Sequence, residues 1–149
     1  MTATRYESDS SKNSEGTIMY KTIAAWAPRA LSVLRIYTGL LLLEHGTAKI
    51  LGFPAVPGFA NVQLGSLVGA SGLIELIGGV VFTLGLFTRP VAFILSGFAA
   101  VAYFIVSAPR GFYPILNNGE LASLFSFVFI YFVFTGPGPW SLDATMERK

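Results

Sequence analysis

Five ionisable residues stand out because of where they sit. Glu44, His45 and Lys49 close one apolar run, Glu75 interrupts a second, and Glu120 opens the last. Charge in an apolar setting is costly unless it is paired or used, so residues of this kind point to a polar cluster with a task. Helical spacing sorts them. His45 and Lys49 are four apart and share a face with Thr38 and Leu42, whereas Glu44 points about 100° away. Glu75 shares a face with Ser71, Gly72, Gly78 and Gly79 and, about ten residues into its helix, lies roughly 13–15 Å deep. On the last run Glu120, Leu124, Phe127 and Tyr131 form one stripe, and Arg35 lies toward the opposite end of the first run.

Much chemistry is excluded for this set. The single histidine cannot supply a bis-histidine haem, and the absence of cysteine removes thiol catalysis, Fe–S ligation and cysteine-based zinc sites. A carboxylate-bridged di-iron bundle needs Glu-x-x-His pairs, but three residues after Glu44, Glu75 and Glu120 stand Thr47, Gly78 and Ser123. No Ser-His-Asp set, phosphate loop or dinucleotide fingerprint is present. A mononuclear metal held by His45 and two carboxylates stays conceivable, but no metal site is expected. What survives is a proton-exchanging pocket near aromatics such as Phe112, Tyr113, Phe127 and Tyr131. It suits a quinone head group, which needs hydrogen bonds at two oxygens and proton donors on reduction. It equally suits a small anion held by Lys49 and Arg110, or no ligand at all. In that last, purely structural reading the carboxylates are offset by Arg35, Lys49 and protonated His45, Glu120 compensates a helix dipole, and Lys49 and Arg110 reach for the interface.

The elements that must position these residues are set by composition. The 149-residue chain is 53% hydrophobic and only 12% charged, against about 25% charge in soluble domains. This marks an integral membrane protein, and a net charge of +2 without a basic stripe makes nucleic acid an unsuitable partner. Four apolar segments, about 30–50, 66–87, 90–108 and 120–134, predict an all-α, four-helix transmembrane bundle; strands are disfavoured because no alternation of period two is present. Residues 1–20 are polar, lack a signal-peptide core and are expected to form a mobile cytoplasmic tail; 21–143 form the membrane domain and 144–149 a short second tail. Tyr20 to Arg29, with Trp26, is expected to lie at the interface before the first span. Thr88-Arg89-Pro90 is read as a tight turn. Basic residues favour both termini inside: Arg5, Lys12, Lys21, Arg29, Arg89, Arg148 and Lys149 fall on one side, and only Lys49 and Arg110 on the other. The polar cluster is thereby expected at the outer face of the cytoplasmic (inner) membrane.

From about Arg29 to Asp143 the sequence resembles the DoxX family of small four-helix membrane proteins. The residues that carry the resemblance are His45-Gly46-x-x-Lys49, Glu75 with Gly78-Gly79, Leu84 to Pro90, Pro114 with Asn117-Asn118-Gly119-Glu120, and Gly136-x-Gly138-x-Trp140-Ser141-Leu142-Asp143. The resemblance implies a membrane protein tied to redox metabolism, with relatives described as quinone-linked oxidase or thiosulfate:quinone oxidoreductase subunits and as partners in oxidative-stress complexes. The motif residues that fit a pocket are His45, Lys49, Glu75, Asn118 and Glu120. The expected function is a quinone-interacting subunit of a redox system, with His45, Glu75 and Glu120 handling protons and Lys49, Arg110, Asn118 and Tyr131 binding the ligand. The alternative is a non-catalytic scaffold or assembly partner. A small-solute carrier fits less well, since four helices lack inverted repeats unless the chain oligomerises.

Overall fold

The computed structural model describes the backbone of residues 3–148 and the side chains of residue 17 and residues 19–148. All regular elements among these are helical: α1 Ala3–Ile50, α2 Leu67–Leu84, α3 Thr88–Ala102, α4 Pro114–Asn117, α5 Glu120–Thr135 and α6 Leu142–Met146. α3 runs on through a π-helical turn, Tyr103–Ser107, and a 3₁₀ turn, Ala108–Arg110. Among the described residues two helices are long and apolar enough to cross a membrane, α2 with 18 residues and α3 with its continuation, 23 residues; α5 is shorter at 16. The outward faces of α2 and α3 carry Ile77, Val80, Phe93, Ile94 and Val101, a surface for hydrocarbon rather than water.

α1 starts far ahead of its apolar run. The segment read as a mobile tail is helical from Ala3 onward, and the stretch expected at the interface is the middle of the same helix, with Pro28 inside it. Residues 19–30 are exposed, so helicity there rests on local propensity; a single proline removes one ladder bond without ending the helix. Residues 1, 2 and 149 of the expected tails, and the side chains of Arg5 and Lys12, lie outside the described residues.

α2 is bounded locally. Ser66 Oγ accepts from the Gly69 amide at 3.1 Å, and Gly85 closes the helix in the left-handed region at φ 67°. The turn that follows is Gly85 to Phe87, and helix already begins at Thr88. The turn expected at 88–90 is therefore the first turn of α3. The cause is a distant cap: the Asp143 carboxylate accepts from the Phe87 and Thr88 amides, each at 2.8 Å.

α2 packs closely on α1 and α3 on α5, while α2 and α3 meet only loosely. The α1–α2 contact is backbone against backbone: a Cβ on Gly46 would lie 2.4 Å from the Leu76 amide nitrogen, and one on Gly79 would lie 2.8 Å from Leu43 Cα. Small residues permit this approach, and it brings the end of α1 beside the first half of α2. The two pairs join through a core of Leu42, Phe82, Leu95, Phe125, Phe129 and Phe132. Phe82 meets Phe129 and Phe132 edge-on at 4.9 and 5.2 Å between centroids, the favoured aromatic geometry.

Candidate functional site

The close α1–α2 crossing sets Lys49 against Glu75. Lys49 Nζ donates to Glu75 Oε1 at 2.7 Å and to Ser71 Oγ at 3.1 Å, and stands 5.5 Å over the Phe59 ring. Ser71 is held in turn, donating to the Val68 carbonyl at 2.8 Å. The Glu75 residue is 7% exposed, and its second oxygen, Oε2, is buried without a hydrogen-bond partner. A buried carboxylate oxygen in that condition is uncommon, and its retention costs about 1–3 kcal/mol.

Two cavities meet at Glu75. One, of about 180 Å³, is lined by His45, Glu75, Phe98, Ala102, Asn118 and Phe125 among others. The second, of about 270 Å³, is almost wholly apolar and lies among Lys49, Phe59, Ser71, Glu75 and the α3 residues Phe98, Val101, Ala102, Ile105 and Val106. Ile105 and Val106 belong to the π-helical turn, an irregularity that often accompanies function. His45 Nδ1 lies 2.9 Å from the Leu41 carbonyl. A carbonyl only accepts, so Nδ1 carries the proton and Nε2 is the nitrogen able to take one up. The His45 ring meets Phe125 edge-on, centroids 6.4 Å apart. Among the described residues no group of three His, Cys, Asp or Glu is placed to hold a metal ion.

Of the residues expected from sequence, His45, Lys49, Glu75 and Asn118 come together here. Glu120 is exposed in the first turn of α5, and Arg110 is exposed in the 3₁₀ turn; neither lines these two cavities. Tyr131 is half-exposed and lies eleven residues along α5 from Glu120, about 16 Å at 1.5 Å per residue. The stripe Leu124, Phe127 and Tyr131 faces outward, and the buried face of α5 is Phe125, Phe129 and Phe132. Phe112 and Tyr113 are exposed as well. The aromatic walls are instead Phe59, from the short turn Pro57–Phe59 before α2, and Phe98 and Phe125, which periodicity alone does not single out among the phenylalanines of α3 and α5. Ser71 was detectable, one helical turn before Glu75.

The neighbouring asparagines divide the work. Asn117 is fully buried; its amide donates to the Gly111 carbonyl at 2.7 Å and its oxygen accepts from the Gly119 amide at 2.8 Å. Asn118 is left-handed, φ 55°, and faces the smaller cavity. Asparagine tolerates that conformation better than most residues.

A second polar centre lies at the opposite end of the helices. Arg35 is 1% exposed and donates to the carbonyls of Thr83 at 3.3 Å, Trp140 at 2.5 Å and Pro137. Ser32 Oγ accepts from the Trp140 amide at 3.2 Å. The residues after α5 are thus folded back over Arg35.

The chain also matches known sequences. A family model described as DoxX matches residues 30–108. The chain belongs to the DoxX family. It is 44% identical over 128 residues to an uncharacterized protein of Haemophilus influenzae, covering 83% of this chain and 96% of that protein. It is 23% identical over 154 residues to an uncharacterized membrane protein of Mycobacterium tuberculosis, covering 87% and 88%. It is 31% identical over 113 residues to "Putative oxidoreductase CatD" of Bacillus subtilis, covering 74% and 82%. No solved structure matches. This DoxX-family chain is a membrane protein, in keeping with its apolar helices.

Proposed function

We propose that this DoxX-family protein is a quinone-interacting subunit of a membrane redox system, a four-helix transmembrane bundle in the cytoplasmic membrane with both termini inside. The observation that carries the reading is Glu75, which lines both cavities and whose buried Oε2 has no partner. A quinol hydroxyl reaching the Glu75 carboxylate would supply the donor that Oε2 lacks, and His45, which lines the smaller cavity, offers Nε2 as a second acceptor. Together the cavities fall in the volume range of small-molecule sites, about 300–1,000 Å³. Oxidation of a quinol releases two electrons and two protons; the electrons pass to a redox centre on a partner protein and the protons to Glu75 and His45. The oxidoreductase name of the Bacillus subtilis relative supports the same class.

Glu75→Gln tests this, because the amide keeps the Lys49 contact and cannot take up a proton. Quinol-linked electron transfer, measured in membranes with the native partner, is expected to fall by about 100-fold or more, the typical worth of a general base. Unchanged turnover overturns the reading.

A second reading has an observation of its own. The Lys49–Glu75 pair at 2.7 Å ties α1 to α2, which a non-catalytic scaffold for a redox complex also needs. In that case Glu75→Gln lowers thermal stability or partner recovery, with no separate loss of turnover per assembled complex.

A further inference from the structure

The loose seam between α2 and α3 contains more than the cavity at Glu75. A separate cavity of about 300 Å³ with an almost entirely apolar lining continues along the same two helices, between Leu73, Ile77 and Val81 on α2 and Val91, Ile94 and Leu95 on α3. With the cavity that reaches Leu67 and Val106, it occupies the seam from Leu67 to Val81. That is about 21 Å of helix at 1.5 Å per residue, a large part of a hydrocarbon core of about 30 Å. Gly78 widens it, since a Cβ there would lie 2.7 Å from the Leu95 side chain. Its rim is open sideways: Ile77 and Ile94 are each 63% exposed.

We propose that this seam is a lateral groove for the apolar tail of an isoprenoid-tailed quinol whose head group reaches Glu75 from the bilayer. The proposal rests on the quinone reading of the head-group pocket. Charge selects the occupant. The polar groups facing the seam are Lys49, Ser71 and Glu75, and Lys49 is already engaged by Glu75 Oε1 and Ser71. A phospholipid phosphate or a fatty-acid carboxylate would find no unengaged cation in the seam, since Lys49 is the one basic residue lining it. A neutral head that donates a hydrogen bond suits the Glu75 carboxylate. A water-soluble ligand would leave the long apolar part of the seam unused.

The groove can be tested with the full-length protein in lipid nanodiscs and two photoreactive probes. One is an isoprenoid-tailed quinol with a diazirine on the tail; the other is a diazirine alkane of equal length with no head group. Labelled peptides are mapped by mass spectrometry. The quinol probe is expected to label the α2 and α3 peptides around Ile77 and Ile94 above other lipid-facing sites. Ile94→Trp or Ile77→Trp, exposed positions where bulk is tolerated, are expected to lower that labelling at least 10-fold, and Phe93→Trp on another face of α3 to leave it unchanged. If the alkane labels the seam as well as the quinol does, the groove stands and the quinone reading of the head pocket falls. Labelling spread evenly over lipid-facing sites, or unaffected by both seam variants, overturns the groove.

Discussion

Arg35 and Lys49 stand on the same helix, fourteen residues or about 21 Å apart, and the chain uses them in opposite ways. Arg35 donates through its two terminal nitrogens to three backbone carbonyls from α2 and the returning segment after α5, while its Nε is buried without a partner. Its planar fork serves several acceptors at once. Lys49 has one carboxylate and one hydroxyl, and the carboxylate it holds belongs to a residue that lines two cavities and keeps a buried oxygen without a partner. The Arg35 centre ties three parts of the chain together, whereas the Lys49–Glu75 centre borders cavities in which a ligand can be accommodated. On the function proposed above, the two ends of this protein separate stability from chemistry.

Arg35→Ala is the harshest way to break that contrast. It leaves several buried carbonyls without a donor, each worth about 1–3 kcal/mol, and opens a cavity. Loss of 3 kcal/mol or more is expected in thermal unfolding followed by tryptophan fluorescence, with Trp140 itself released. At the other end, Lys49→Ala strands the Glu75 carboxylate and should cost about 3 kcal/mol. The double variant Lys49→Met with Glu75→Leu is expected to recover most of that stability, because an apolar pair is often as good as a buried ion pair, while electron transfer stays lost. Recovery of both would make the pair a clasp and nothing more.

Asp143→Ala sits between the extremes. It removes the acceptor of two helix-terminal amides, so about 1 kcal/mol of stability is expected to go, with turnover per folded protein unchanged. Glu120→Gln is the smallest change. The residue is exposed outside the two cavities, and stability within about 0.5 kcal/mol of the parent is expected, with turnover unaltered. A large loss of turnover would bring Glu120 into the site by a rearrangement on ligand binding.

Much of this was legible in the chain itself. Apolar runs broken by Gly52-Phe53-Pro54 and Gly136-Pro137 give helices whatever their neighbours do, since backbone groups in an apolar setting must be satisfied locally. His45, Lys49 and Glu75 were detectable as charges out of place. The start of α1 was not, because a polar helix far from the core leaves no apolar period to read.

Other choices belong to the tertiary structure alone. Asn117 and Asn118 are chemically identical, and only the loop geometry makes one a buried staple and the other a cavity wall. The phase of α5 decided that Phe125 faces His45 while Phe127 and Tyr131 face out, a difference that a helix made almost entirely of apolar residues conceals. The start of α3 depends on Asp143, 55 residues away in sequence. What composition and spacing determined is that this chain folds as apolar helices carrying a few misplaced charges. Which charges meet was decided by packing: it took the backbone approach at Gly46 to put Lys49 on Glu75, and the looseness of α2 against α3 to leave cavities beside that pair.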